Sequence, residues 1–175
     1  MKSALLVAGL TALSLFVSAS PAPAAEQEAQ ARTTLRGRSG AKVGVATLRQ
    51  SRAGVLIHLE LTQLPPGTHA IHVHAVGQCE GDFESAGAHF APKGNAHGFL
   101  GGRGPHAGDL PNLFVPASGD LVVDLTASSL SLADGSLNDA DGAALVIHER
   151  GDDYRTDPSG SSGARIACGV IELVR

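Results

Sequence analysis

Apolar and polar residues alternate with a period of two in a series of short runs along this chain, which predicts strands rather than helices. The run "VLIHLEL" (55–61) sets Val55, Ile57, Leu59 and Leu61 on one side and Leu56, His58 and Glu60 on the other. In "AKVGVATL" (41–48), Val43, Val45 and Thr47 share one face. Further β-type runs are "AIHVHAV" (70–76), "DLVVDLT" (120–126), "ALVIHE" (144–149) and "RIACGVIELV" (165–174). Turn signals such as "LPPG" (64–67), "ASGD" (117–120) and "DADG" (139–142) punctuate them, and 22 glycines suit tight turns between short strands. The pattern implies an all-β antiparallel sandwich or barrel without internal repeats.

Two stretches break the alternation. Residues 77–112 are rich in Gly, His and Pro, and residues 150–164, "RGDDYRTDPSGSSGA", are polar and turn-rich. Loops of this length in a small β domain are usually functional or disordered.

The N-terminus follows a different rule. Met1-Lys2 gives a short positive start, "ALLVAGLTALSLFV" is an uncharged apolar run, and Ala22-Pro23-Ala24 forms an A-x-A cleavage site. The run from Ala4 to Val17 is too short to span a bilayer comfortably. The reading is an export signal over 1–24, a flexible segment over 25–34 and one β domain over 35–175. The mature chain then carries no membrane anchor and is periplasmic or secreted.

Removing Lys2 leaves 12 basic against 17 acidic residues in the exported part. The basic residues are scattered and aromatics are few, which argues against nucleic-acid binding. Cys79 and Cys168 both remain in the exported part, and an even pair in an oxidising compartment suggests a disulfide. It would close a loop of roughly 90 residues, worth about 4–5 kcal/mol by loop entropy.

Candidate chemistry centres on histidine. On a strand, i and i+2 share a face, so His72 and His74 project together while His69 points away. His148 ends another predicted strand, and the long loop supplies His89, His97, His106 and Asp109. Seven candidate ligands are one too few for two separate four-coordinate sites, but they suffice if one imidazole serves two metals. A tetragonal nitrogen set suits Cu(II), and a closed His/carboxylate set suits structural zinc. Two separate sites completed by water, or one site with spectator histidines, satisfy the same chemistry.

Five segments, "GTHAIHVH", "SAGAHFAP", "HGFLGGRGPHAGDLPNL", "VIHERGDD" and "GARIACGVIE", together resemble the copper/zinc superoxide dismutase family in its exported bacterial form. They run in family order from about Leu35 to Leu173. The resemblance implies an eight-stranded Greek-key β-barrel with two long functional loops, acting on superoxide anion as an antioxidant oxidoreductase. It implies copper held by His72, His74, His89 and His148, and zinc held by His89, His97, His106 and Asp109, with His89 as bridge and proton carrier. Asp152 matches a carboxylate joining a ligand of each metal, Arg165 the arginine beside copper, and Cys79 with Cys168 the family disulfide. His69 matches a structural histidine, while His58 matches nothing and reads as surface. Lys93, Arg103 and Arg155 are candidates for drawing the anion in.

The tract 77–84 is of the bacterial kind, which leaves monomer and homodimer both open. A cupin reading fails because its second motif would begin where its first ends. No H-E-x-x-H supports a metallohydrolase. The remaining alternative is an exported copper/zinc-binding module without turnover.

Overall fold

The computed structural model describes residues 30–133, 137 and 139–174. The expected export signal and residues 25–29 of the segment after it lie outside them. Among the described residues ten strands run in order: β1 (Gln30–Gly37), β2 (Lys42–Ser51), β3 (Gly54–Leu61), β4 (Gly67–His69), β5 (Ile71–His74), β6 (Leu113–Val115), β7 (Leu121–Ala127), β8 (Ala144–His148), β9 (Arg165–Val170) and β10 (Glu172–Val174). A single 3₁₀ turn at Glu84–Ala86 is the one helical element among the described residues.

The strands build an eight-stranded antiparallel sheet in the order β5-β8-β9-β1-β2-β3-β7, with β10 also on β1, and it curls into a half-barrel. β4 and β6 form a separate pair. The alternation in β3 is realised as expected: Val55, Ile57, Leu59 and Leu61 are buried and join Leu35, Leu48, Ile71, Leu145 and Ile147 in one core. In β2 the sequence reading needs correction. The face of Val45 and Thr47 is only half-buried, and the inward positions are Gly44, Ala46 and Leu48.

A second correction concerns residues 30–34, expected to be part of a flexible lead. They belong to β1, which pairs with β2, β9 and β10. Its inward positions Ala31, Thr33 and Leu35 are mostly small or polar, so the period-two pattern is faint. A bulge between Leu35 and Arg36 accompanies the change of partner from β10 to β9. A second bulge, between Ile147 and His148, sets His148 opposite Arg165. Bulges of this kind re-aim a side chain where pairing ends.

The 77–112 loop is pinned rather than free. Val73 of β5 donates to the Gly108 carbonyl at 2.9 Å and accepts from Phe90 N at 2.8 Å, and Ala75 N donates to the Ala88 carbonyl at 2.9 Å, so the loop is tied to this stretch of chain on both sides of His89. Isolated bridges pair His72 with Asp109 and His74 with His89. A Cβ at residue 108 would strike the Val73 carbonyl, which is why glycine occupies this crossing. Cys79 and Cys168 form a disulfide with Cα atoms 5.7 Å apart, fastening the start of the loop to β9.

Candidate metal centre

Two overlapping sets of buried donors emerge where β5, β8 and the long loop meet. His72, His74, His89 and His148 form one, and His89, His97, His106 and Asp109 form the other; within each set the donor atoms lie within 4.8 Å of one another. All seven residues predicted from sequence are therefore brought together, with His89 common to both sets.

Hydrogen bonds fix which nitrogen of each ring faces inward. His72 Nε2 donates to Asp152 Oδ2 at 2.9 Å, and His74 Nδ1 donates to the Gly87 carbonyl at 2.9 Å. His148 Nδ1 faces the Gly163 carbonyl at 3.3 Å and Ser162 Oγ at 3.1 Å. That leaves His74 Nε2 and His148 Nε2 facing each other at 3.4 Å with lone pairs inward. Among the described residues, three buried side-chain polar atoms lack a partner: Thr33 Oγ1, His72 Nδ1 and His89 Nε2. The last two are the atoms that complete the inward ring of four nitrogens. Buried nitrogens are rarely left unpartnered without a ligand to satisfy them.

In the second set, Asp109 Oδ1 lies 3.0 Å from His89 Nδ1, 3.1 Å from His97 Nδ1 and 3.4 Å from His106 Nδ1. Asp109 Oδ2 is meanwhile held by the backbone N–H groups of Gly98 at 2.9 Å and His106 at 3.0 Å. One oxygen is thus left to converge with three imidazole nitrogens, a closed set of four donors of the kind zinc takes.

Asp152 joins the two sets. Its Oδ2 accepts from His72 Nε2, and its Oδ1 accepts from His97 Nε2 at 2.9 Å. The carboxylate is fixed in turn by Tyr154 N at 2.6 Å, while Asn112 exchanges hydrogen bonds with the Asp152 backbone at 2.8 and 2.9 Å. Gly160 covers the carboxylate with φ +64°, and a side chain there would run into Asp152 Oδ1 and His97 Nε2. The sequence reading placed Asp152 in this role but did not find Asn112, which sits in an ordinary turn-like "PNL" with nothing to mark it.

Electrostatics separate the sets. Burial lowers His74 to about 2, His148 to about 3 and His89 to about 4, with neighbouring imidazoles adding to the effect. Burial also pushes His72 down, against the pull of Asp152. These rings are neutral near pH 7 and offer their lone pairs without first losing a proton. His97 goes the other way: burial opposes its charge, but hydrogen bonds to Asp109 and Asp152 carry it up to about 9. Both carboxylates are held well below the usual range; burial alone would raise them, and the imidazole hydrogen bonds prevail.

Arg165 sits at the mouth. Its two terminal nitrogens donate to the Phe83 carbonyl at 2.6 Å and the Gly87 carbonyl at 2.7 Å, so the loop fastened by Cys79 aims the guanidinium. It shares an open cavity of about 600 Å³ with His74, His89, His106, His148 and Glu84. Glu84 Oε2 lies 3.5 Å from Arg165 but is 79% exposed, a solvent-screened pairing. Of the other basic candidates, Arg103 reaches Asp157 at 3.4 Å and Arg155 the Leu100 carbonyl at 3.5 Å. Neither of them lines this cavity, and nor does Lys93.

His69 spans the Pro65 and His148 carbonyls at 2.8 Å each, a structural tie between the chain before β4 and the end of β8. His58 lies on the outward face of β3 against Asp124 at 2.7 Å.

An all-β framework carrying two histidine-rich donor sets that share one imidazole defines a class of protein built to hold a pair of unlike metal ions. The comparison with known families agrees. The family model described as copper/zinc superoxide dismutase matches residues 42–171, and the chain belongs to the copper/zinc superoxide dismutase family. It is 42% identical over 151 residues to superoxide dismutase [Cu-Zn] 1 of Aquifex aeolicus, covering 83% of this chain and 89% of that protein. Among solved structures it resembles a proline-to-histidine mutant of a SOD-like protein from Bacillus subtilis, with 46% identity and a TM-score of 0.76 over 79% of this chain and 95% of that one. The Cu/Zn superoxide dismutase from Brucella abortus follows at 31% identity and a TM-score of 0.69, over 82% and 99% of the two chains.

Proposed function

We propose that this protein is an exported superoxide dismutase, with copper held by His72, His74, His89 and His148 and zinc by His89, His97, His106 and Asp109. The observation that carries the assignment is His89: its Nδ1 belongs to the zinc set, while its Nε2 is buried, unpartnered and turned to the copper set. When bound, copper supplies a one-electron couple that converts two superoxide anions and two protons to O₂ and H₂O₂, and zinc supplies fixed positive charge.

The chain's own groups do the rest. The outward N–H groups of His72, His74 and His148 are tied to acceptors, so each ring presents one defined lone pair. Asp152 holds His72 and His97 in mutual orientation. Arg165 offers a fixed charge and forked donors to a small diatomic anion entering the cavity. His89 Nε2 is the atom that can hold a proton and release it to the departing product, while Nδ1 keeps the ring anchored. A net-negative protein still draws an anion when positive potential is focused in a cleft, as is established for superoxide dismutases.

The strand pairing supports a Greek-key barrel of eight strands. β4 runs into β5 through Ala70 alone, and β6 pairs with β4 and leads through residues 116–120 into β7. Counting β4–β5 and β9–β10 each as one bent strand gives eight, and β6, paired with β4 and joined along the chain to β7, connects the open ends of the long sheet. Location in the periplasm or outside the cell is supported by the disulfide and by the apolar run before the A-x-A site. A homodimer is one assembly open to the mature chain.

The test is superoxide decay by stopped flow with copper- and zinc-loaded protein. The expected result is a second-order rate approaching the diffusional range that superoxide dismutases are known to reach. No acceleration, in protein holding one copper and one zinc, would instead assign a metal-binding module without turnover.

A further inference from the structure

The three histidines confined to the copper set turn their outward nitrogens to different partners. His72 has a carboxylate and His74 a carbonyl, each at 2.9 Å. His148 has the Gly163 carbonyl only at 3.3 Å, long for an N–H···O bond, and Ser162 Oγ is nearer at 3.1 Å. Ser162 is fully buried. Its placement is set by the backbone: Arg150 N donates to the Ser162 carbonyl at 2.9 Å, and Glu149 N donates to the Ala164 carbonyl at 2.7 Å. These two bonds lay residues 162–164 against the chain that leaves His148.

A serine hydroxyl against an imidazole nitrogen also occurs in nucleophile–base pairs. That role needs an oxygen that substrate can reach, and Ser162 has no exposed surface. A hydroxyl can instead accept a proton from Nδ1 with either of two lone pairs. We propose that Ser162 is a positioning residue for His148: its hydroxyl accepts the Nδ1 proton and so keeps Nε2 turned to copper. This role rests on the copper assignment above. The nearer hydroxyl shares with the Gly163 carbonyl, at 3.1 and 3.3 Å, the part that Asp152 plays for His72.

An accepted hydrogen bond also enriches the ring in electron density, which favours Cu(II) over Cu(I). Replacing Ser162 by Ala removes the oxygen and little volume. Loss of such a partner costs roughly 10–100-fold in metal affinity, and the expected fall for Cu(II) is about tenfold. With Cu(I) binding less affected, the copper potential rises, by about 59 mV for each tenfold change in the Cu(II)-to-Cu(I) affinity ratio.

The experiment compares wild type, Ser162→Ala and Ser162→Thr, each purified after export. Cu(II) and Cu(I) affinities come from competition titration, the potential from redox titration, and the exchange rate of the His148 Nδ1 proton from NMR of the diamagnetic Cu(I), zinc-loaded protein. Zinc uptake serves as the check on folding. Ser162→Ala is expected to weaken Cu(II), raise the potential and speed proton exchange with zinc binding intact, and Ser162→Thr to restore all three. Wild-type protein that takes up no copper overturns the assignment and this role with it. Normal copper uptake, with Ser162→Ala matching wild type in affinity, potential and exchange, overturns the role of Ser162 alone.

Discussion

His58 on β3 and the pair His72 and His74 on β5 occupy similar sequence settings, each a histidine alternating with apolar residues along a strand. Their surroundings are opposite. The side chain of His58 is 44% exposed, and the carboxylates of Asp124 and Glu60 beside it favour its protonated form. His72 and His74 are covered by a loop that returns along β5, and burial holds both neutral. The difference lies in the loop. What fits a strand histidine to hold a metal here is a second segment that buries the ring, ties its outer nitrogen and leaves the inner one free of any hydrogen-bond donor.

The sharpest way to break the comparison is His89→Ala, which removes the ring common to both sets. Copper and zinc contents are expected to fall together by metal analysis, with activity lost beyond the hundredfold upper end for outer partners. Loss of one metal alone would show that the ring is not shared. Asp152→Asn comes next, because an amide cannot accept from both His72 Nε2 and His97 Nε2 as the carboxylate does. Metal affinity is expected to drop roughly 10–100-fold, read by chelator competition.

Arg165→Ile leaves the donors in place and removes the aimed charge. The rate at low salt is expected to fall about tenfold, the lower end of what steering supplies, and its salt dependence to flatten at unchanged metal content. An unchanged rate and slope would remove steering from the account. The smallest effect belongs to His58→Gln, which should leave metal content and activity as they are. Because folding raises the His58 pKa, its contribution to stability is fully present below about pH 6.5 and is lost as pH rises through the raised value. The Tm difference between wild type and His58→Gln is therefore expected to shrink with rising pH, and a constant difference would contradict the pairing with Asp124.

Much of this was legible in the chain because strand periodicity and ligand type are local properties. β3 could be read residue by residue, and the seven donors fell in motifs whose order matched one family. β1 was not legible, since the core-facing residues Ala31 and Thr33 are a small one and a polar one. Its partners β9 and β10 lie at the far end of the chain, and no local pattern reports such pairing. Ser162 and Asn112 were hidden for a related reason. Each acts through one oxygen placed by tertiary folding, and in "SGSSG" or "PNL" neither stands out from ordinary turn residues.

The account stands on one imidazole serving two metals, and anomalous X-ray scattering at the copper and zinc edges tests that directly in crystals of the loaded protein. The expected result is two distinct peaks, copper beside His72 Nδ1, His74 Nε2 and His148 Nε2, zinc beside His97, His106 and Asp109, with His89 touching both. A single peak, or two peaks with His89 bound through one nitrogen only, would contradict it.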